Sequence, residues 1–365
     1  MKRLFTILDW YILKKYVLTF TFAILLLTFI TIVIDISEKS DDFVKSGLSF
    51  WQIVTQYYAG FVPRMMTMLF PLFIFISVIF FTSKMAGRSE IIAIIASGTS
   101  FYRFLRPYWV GAIFFAVVLW LAFSFVTPVA NRKFSQFEER YISSANFSNQ
   151  YRAGTIYFRN DSTHYGQVSY FDTATKRGSN FLFQEIVDNK VLMNLRADQL
   201  IFDTSVNKWK AENAIIRTID SVTEKVWIAK DTIILLNFKP SEFKKGQYTK
   251  DVLKTPELAE FIRNERLRGA ENINELIVEL HRRTATPISL ILLTMMGVAV
   301  SSRKVRGGSG FHLAIGIVLA ALFILTDRFS TIFSTKGSFP PILAAWTPNI
   351  IFLFVTIYLF RIAPK

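Results

Sequence analysis

Few residues in this chain could do chemistry, and their spacing does not favour catalysis. The three histidines, His164, His281 and His312, stand far apart, and none falls in an H-E-x-x-H arrangement that would put two imidazoles and a general base on one helix face. Each reads as a surface or interface residue. Cysteine is absent, which excludes thiol nucleophiles, thiolate metal sites and disulfides, so any domain in an oxidising compartment must be held by its core alone. No G-x-x-x-x-G-K-[ST] loop occurs, and the run Arg306-Gly307-Gly308-Ser309-Gly310 follows no strand and reads as a flexible turn. The most defined local motif is Gly87-Arg88-Ser89-Glu90-Ile91-Ile92-Ala93-Ile94-Ile95-Ala96-Ser97-Gly98. Ser89 or Arg88 precedes a short helix that Gly98 would stop, and its apolar part is far too short to cross a bilayer. A charged end and an isoleucine face suit a helix that docks into a groove on a soluble partner. They equally suit an interfacial helix resting on lipid headgroups.

The elements that must position this motif are apolar. A helix needs about 20 residues to cross ~30 Å of hydrocarbon, and six stretches approach that length: Tyr16 to Ile36, Trp51 to Phe81, Tyr108 to Thr127, Ile288 to Ser301, Phe311 to Phe329 and Ile342 to Phe360. The second is too long for a straight span, and Pro63 and Pro71 are expected to kink it. The fourth is short and is extended backward through Pro287 and Thr284, with proline expected in the first helical turn. The first is read as a retained anchor, since no small-residue cleavage site follows it. With six spans both termini share a side, and residues 1–15, 82–107, 302–310 and the tail hold thirteen Lys and Arg against only Asp9 and Glu90. Positive loops stay inside, so the termini are expected in the cytoplasm and the middle block outside. The same placement accounts for the net charge of +15 without nucleic acid as a partner.

The middle block changes character after Pro128. Asn131 to Asn149 is polar and continues a helix or stalk, and from Gly154 short β-rich runs alternate with turn residues: Thr155 to Phe158, Gln167 to Phe171, Phe181 to Val187, Lys190 to Asn194, Gln199 to Phe202, Trp209 to Arg217 and Thr232 to Phe238. Asp172 to Lys176, Asp188-Asn189 and Asp203 to Asn207 supply the turns. A sandwich, barrel or open jelly roll is expected. Thr255-Pro256-Glu257 then starts a helix that leads into the fourth span. The chain therefore divides into residues 1–130 with the first three spans, a β-rich domain at 131–254, and residues 255–365 with a connecting helix and the last three spans. Two function classes are weighed on the residues alone: a receptor or scaffold, and a lipid-modifying enzyme. The enzyme lacks a cluster of acidic or histidine residues near the membrane, and the receptor lacks cytoplasmic segments long enough for an output domain.

Three segments carry a specific resemblance. Leu8-Asp9-Trp10-Tyr11-Ile12, the Arg88-Ser89-Glu90 to Ala96-Ser97-Gly98 stretch, and Pro340-Pro341-Ile342-Leu343 to Pro348-Asn349 resemble the LptF/LptG (YjgP/YjgQ) permeases of lipopolysaccharide export, over the whole chain and in order. The Pro-Pro segment and the Asp327 region look closer to LptG. The resemblance implies a multi-pass inner-membrane protein with six transmembrane helices and a periplasmic jelly roll inserted between helices 3 and 4. It implies a non-catalytic permease of an ABC transporter, paired with a second LptF/LptG-type permease and driven by an LptB-type ATPase dimer. ATP and Mg would sit on that ATPase, with no cofactor in this chain, and lipopolysaccharide would pass to an LptC-type protein and the periplasmic bridge. Arg88, Glu90, Ile91, Ile94 and Ile95 would form the coupling helix that the ATPase grips, with Glu90 as its main polar contact. Spans one and five would form lateral gates, offering Phe20, Phe22, Leu25, Phe29, Ile32, Leu319, Leu322 and Phe323 as a lipid wall. Family members carry basic residues near the outer end of span one, where this chain has Asp35. Lys39, Lys45, Arg132, Lys133 and Arg328 are the cations that would meet lipid phosphates instead, Arg64 is expected to snorkel to the outer interface, and Asp327-Arg328 is expected to be a mutually satisfied pair or a gate contact.

Overall fold

The computed structural model describes residues 6–142, 155–172, 175–204, 206–220, 223–236, 249–267, 273–303 and 308–362. The chain opens with helices α1 (Ile7–Lys45), α2 (Phe50–Gly87), the short α3 (Glu90–Ala96) and α4 (Phe101–Ile142). Strands β1 (Ile156–Arg159), β2 (His164–Asp172), β3 (Arg177–Val187), β4 (Lys190–Asp203), β5 (Lys208–Ile219) and β6 (Glu224–Ile234) follow. Helices α5 (Thr249–Val252), α6 (Thr255–Leu267), α7 (Ile273–Ser301), α8 (Gly308–Lys336) and α9 (Pro341–Ile362) complete it. The residues fall into two compact units, one of Met1–Phe137, Asp251–Thr255 and Asn274–Lys365, the other of Glu138–Lys250 and Pro256–Ile273.

Helices α1, α2, α4, α7, α8 and α9 are long and apolar enough to cross a membrane. Helix α2 has 38 residues, about 57 Å at 1.5 Å per residue, which exceeds the hydrocarbon thickness. Its backbone irregularity is a π-helical turn at Val54–Tyr58, ahead of Pro63 and Pro71, and both prolines lie inside the helix that continues from it. The fourth span corrects one expectation. Helix α7 begins at Ile273, so Pro287 sits in its middle and not in its first turn. Polar residues such as Glu275, Glu279, Arg282 and Arg283 hid this helical start from an apolar scan, and helix packing tolerates an interior proline where neighbours and hydroxyls satisfy the freed backbone groups.

Helix α2 is apolar on all sides and packs in two directions. Toward one side Phe70, Ile74, Val78 and Phe81 join Tyr16 and Phe20 of α1 and Phe104, Tyr108 and Phe115 of α4. Toward the other, Phe75 and Ile79 join Leu293 and Met296 of α7, Ala320 of α8 and Phe352 of α9. In their most apolar stretches α2 and α7 have 56% and 67% of residues buried, whereas α1 and α8 have only 17% each, so α1 and α8 are the peripheral, outward-facing spans. Lipid is as apolar as these side chains, so close packing and small residues draw the helices together. At Gly60 a Cβ would stand 2.6 Å from the Ala130 carbonyl oxygen and 2.7 Å from the Phe134 nitrogen, so α2 and α4 touch backbone to backbone. Tyr16 of α1 in turn hydrogen-bonds Thr294 of α7 at 2.8 Å.

The β-rich unit is one six-stranded antiparallel sheet in the order β1-β2-β3-β4-β5-β6, each strand pairing with its chain neighbours. Asp188 and Asn189, at φ 47° and 59°, make the two-residue turn between β3 and β4 that matches strand twist. Seven β-rich runs become six strands because Lys190 to Asn194 and Gln199 to Phe202 are one strand, β4. The residues between them keep the alternation, with Leu195 and Ala197 buried and Arg196 and Asp198 exposed. Strand β6 starts at Glu224, well before Thr232, since charged Glu224, Lys225, Lys230 and Asp231 masked it. Residues 237–238 of that last run lie outside the described residues. Val168, Phe181, Leu195, Leu200, Trp209 and Ala211 lie in the core of this unit.

Candidate functional site

The short helix α3 is set by two backbone devices. Ser89, its N-terminal cap, takes the left-handed conformation (φ 61°), and Gly98 (φ 85°) turns the chain after its end, its N–H donating to the Ile95 carbonyl at 3.0 Å. A serine in that conformation is strained and is held there by its surroundings. Ile91 is 1% exposed in the core shared by α1, α2 and α4, with Ile94 and Ile95 packed against it. Those three isoleucines therefore fasten α3 to its own chain. The surface turned outward is Arg88, with 62% of its side chain exposed, and Ile92, 54% exposed, a residue the sequence pattern did not single out.

Glu90 has its partners within the chain. Its Oε2 accepts from Lys15 Nζ at 3.1 Å and from the Tyr11 hydroxyl at 3.0 Å, and Arg88 Nη1 lies 4.0 Å from Oε1. Asp9 is 1% exposed and accepts from both Arg103 terminal nitrogens at 2.6 Å, and from the Thr6 nitrogen and hydroxyl at 2.8 and 2.9 Å. The carboxylate thus caps α1 and clamps it to the first turn of α4. Lys15, Tyr11 and Arg103 were not expected at this site. The i, i+4 spacing of Tyr11 and Lys15 on one face of α1 was the signal available.

The apolar wall divides by exposure. Phe22, Leu25 and Phe29 on α1 and Leu322 on α8 are exposed, at 49–69%. Ile32 is half-buried, Leu319 and Phe323 are half-buried against Phe352, and Phe20 is core, ringed by Phe70 and Phe115. A groove of about 950 Å³ runs along α8 and its following turn, lined by Leu322, Leu325, Thr326, Phe329, Ser330, Phe333, Gly337, Ser338, Phe339, Pro340 and Thr347. Leu325, Phe329 and Phe333 continue the helical face of Leu322 and were reachable by extending its period.

Of the cations, Lys45, Lys133 and Arg328 are exposed, and Arg132 is exposed with its guanidinium 3.5 Å from the Val252 carbonyl. Lys39 instead lies 3.4 Å from the buried Asp35, whose carboxylate also accepts from Tyr57 and Tyr58 at 2.9 and 3.1 Å. Arg64 stacks over Phe134 at 4.8 Å. The pairing expected of Asp327 with Arg328 is overturned: Asp327 takes Arg282 of α7 at 3.0 Å, and Arg282 also donates to Thr331 at 2.6 Å. Successive helical residues point about 100° apart, so Asp327 and Arg328 face different neighbours.

The Pro-Pro to Pro-Asn segment has a mechanical reading. Pro341 opens α9, and Pro348 inside it has no N–H for the Ala344 carbonyl four residues back. Ser330 of α8 donates to that carbonyl at 2.6 Å, and Asn349 donates to the Ala285 carbonyl of α7 at 2.8 Å. The motif thus ties α9 to both neighbours. Among the described residues no three His, Asp or Glu side chains gather as a metal site requires.

Six helices long and apolar enough to span, a β-sheet unit between the third and fourth, and a short helix between the second and third define a polytopic membrane protein. The family model described as "Lipopolysaccharide export system permease LptF/LptG" matches residues 10–362, and the chain belongs to that family. It is a multi-pass inner-membrane protein, a permease of lipopolysaccharide export that associates with other Lpt components. No curated protein matches the chain.

Proposed function

We propose that this chain is the non-catalytic membrane half of an ATP-driven extractor that lifts lipopolysaccharide from the inner membrane and passes it to a periplasmic bridge. The observation that carries this reading is the presence, in one chain, of a fastened surface helix with an exposed Arg88 and Ile92 and of two peripheral spans with exposed apolar faces. Helix α3 docks on an LptB-type ATPase dimer, which holds the ATP and Mg. The termini and α3 face the cytoplasm, on the side where Lys and Arg are concentrated. Phe22, Leu25 and Phe29 on α1 and the groove along α8 face a second LptF/LptG-type permease and enclose the acyl chains between them. Lys45, Arg132, Lys133 and Arg328 supply charge-assisted hydrogen bonds to phosphates. The β unit hands the lipid on to an LptC-type protein. Supporting this, β6 is an edge of the sheet among the described residues, with Val226, Trp227, Ile228 and Ile233 exposed.

The test is a mild-detergent purification of the tagged chain, with identification of its partners and an ATPase assay of the eluate. A soluble ATPase and a second six-span permease are expected. Arg88→Glu combined with Ile92→Asp should lower recovery of the ATPase at least about tenfold, as loss of a central hot spot does. A photo-crosslinker at Phe29 or Leu322 should capture glycolipid in cells. A chain that purifies alone, without ATPase activity, would sink the proposal.

A further inference from the structure

Helices α1 and α2 each carry a ruler for the bilayer. The charged residues that flank the apolar stretch are Lys15 and Asp35 on α1 and Arg64 and Lys84 on α2, and the members of each pair stand 20 residues apart. That is about 30 Å of helix, the thickness of the hydrocarbon. Both helices continue past the Asp35 and Arg64 marks. Helix α1 runs on to Lys45 and α2 starts back at Phe50, so their hairpin rises about 15–20 Å beyond the hydrocarbon, past a headgroup layer only ~5–8 Å deep.

The hairpin holds a fixed shape. Phe43 packs edge-on against Tyr57 with ring centroids 5.2 Å apart, Gly47 turns the chain at φ 66°, and Gln52 Oε1 accepts from the Ser49 nitrogen and hydroxyl at 2.9 and 3.2 Å. Yet it turns Val44, Phe50 and Trp51 outward, at 81%, 69% and 72% exposed. Val44 ends the face of α1 that begins with Phe22 and Phe29 and runs through Ile36 and Ser40 at i+7 and i+4 spacing, all exposed. At this height the aromatic rings lie beyond the acyl chains and outside the core. Phe50 to Pro63 contains no charged residue, so it offers a phosphate no cation. What flanks Trp51 is neutral and polar: Gln52, Thr55 and Gln56, all exposed.

We infer that the tip of the α1–α2 hairpin, centred on Trp51, is a binding site for the saccharide portion of the transported glycolipid. A pyranose has a C–H face that stacks on an indole and a rim of hydroxyls that side-chain amides and hydroxyls both donate to and accept from. Gln52 gives its oxygen to Ser49 and keeps its amide N–H groups for such a rim. The inference rests on the reading of α1 as a lipid-facing helix of a lipopolysaccharide permease with the hairpin on the outer side. One molecule then extends along one helix: acyl chains at Phe22 and Phe29, phosphates above them, and sugars at a tip about 22 Å beyond Phe29.

The experiment places a photo-crosslinker at Trp51, and separately at Phe29, in the full-length chain. Two kinds of cell are compared, one making complete lipopolysaccharide and one making it truncated to its acylated, phosphorylated base. Trp51 should capture glycolipid in the first and little in the second, whereas Phe29 should capture both alike. Capture at Trp51 that ignores the saccharide overturns the assignment, and so does capture there of protein in place of glycolipid. Glycolipid at Phe29 with none at Trp51 overturns the inference alone. No glycolipid at either position means that the lipid-facing reading of α1 has failed, and the inference falls with it. Binding by the purified complex gives a second readout. Trp51→Ala should weaken binding of lipopolysaccharide about fivefold, as loss of an anchoring aromatic does, and binding of lipid A freed of its outer sugars by mild acid less than about twofold. Trp51→Tyr should keep most of the affinity. An unchanged affinity for lipopolysaccharide in Trp51→Ala, or an equal loss for both ligands, overturns the site.

Discussion

At the scale of single residues, the largest local effect belongs to Asp9. Its carboxylate is nearly out of water and accepts four hydrogen bonds, two of them from one guanidinium. Asp9→Ala removes all four, but Arg103 keeps a third of its side chain exposed and can turn to water, so the cost falls short of a fully buried pair, at about 1–3 kcal/mol. Arg103→Lys keeps the charge and loses the parallel fork, and should recover only part of that. Ser330→Ala uncovers the Ala344 carbonyl, which Pro348 leaves without its helical donor, and hydrogen bonds between membrane helices average only about 0.6 kcal/mol. Unfolding midpoints in detergent should therefore fall most for Asp9→Ala, less for Arg103→Lys and least for Ser330→Ala. Equal midpoints for the first and last would mean that water replaces the guanidinium completely. The Asp9 motif was legible in the sequence as a motif, but its partner lies 94 residues on, and no local pattern points to it.

At the scale of elements, what decides helix packing is where backbone meets backbone. Gly60 of α2 lies against the backbone of α4, and Gly111 of α4 lies against the Tyr16 ring, whose hydroxyl is tied to Thr294. Neither neighbour can yield, so Gly60→Ala and Gly111→Ala should each destabilise by about 1–3 kcal/mol. Gly87→Ala, with nothing within 4 Å of the added Cβ, should be neutral or slightly stabilising. Midpoints of the three variants check this, and a Gly60→Ala variant as stable as Gly87→Ala would show that α2 and α4 are not in close contact. The six spans were legible because lipid imposes a length and a polarity on a helix. The stretch up to Arg283 was legible as helix but not as the first half of the fourth span, because Glu275, Glu279, Arg282 and Arg283 are polar groups that an apolar length does not include, and Arg282 hydrogen-bonds across helices to Asp327. Strands β1 to β5 announced themselves by alternation and turn residues, β4 as two runs, whereas β6 was legible only from Thr232, since its charged start is exposed along both faces and has no buried stripe to read. Within the candidate site the outward and inward faces of α3 were not separable in advance. A seven-residue helix is too short for its period to say that Ile91 is buried and Ile92 exposed.

At the scale of the whole molecule the governing asymmetry is charge. Four segments expected at one set of span ends carry thirteen Lys and Arg against two acids, and the proposed orientation follows from the tendency of such segments to stay on the cytoplasmic side. On that proposal the β unit, joined to α4 and α6, is translocated, and without cysteine it would rely on its own core in an oxidising compartment. Orientation also decides what α3 can meet, since only a cytoplasmic α3 can reach an ATPase supplied with ATP. The cysteine-free chain makes this directly measurable. Lys208→Cys at the start of β5 and Arg303→Cys after α7 are both exposed positions, and each would be the only thiol in its variant. In cells with a permeabilised outer membrane, a maleimide that cannot cross the inner membrane should label Lys208→Cys at once and Arg303→Cys only after the inner membrane is broken. Labelling of both before lysis, or of Arg303→Cys alone, would place α3 on the wrong side of the membrane for any ATP-driven partner and remove the basis for coupling through it.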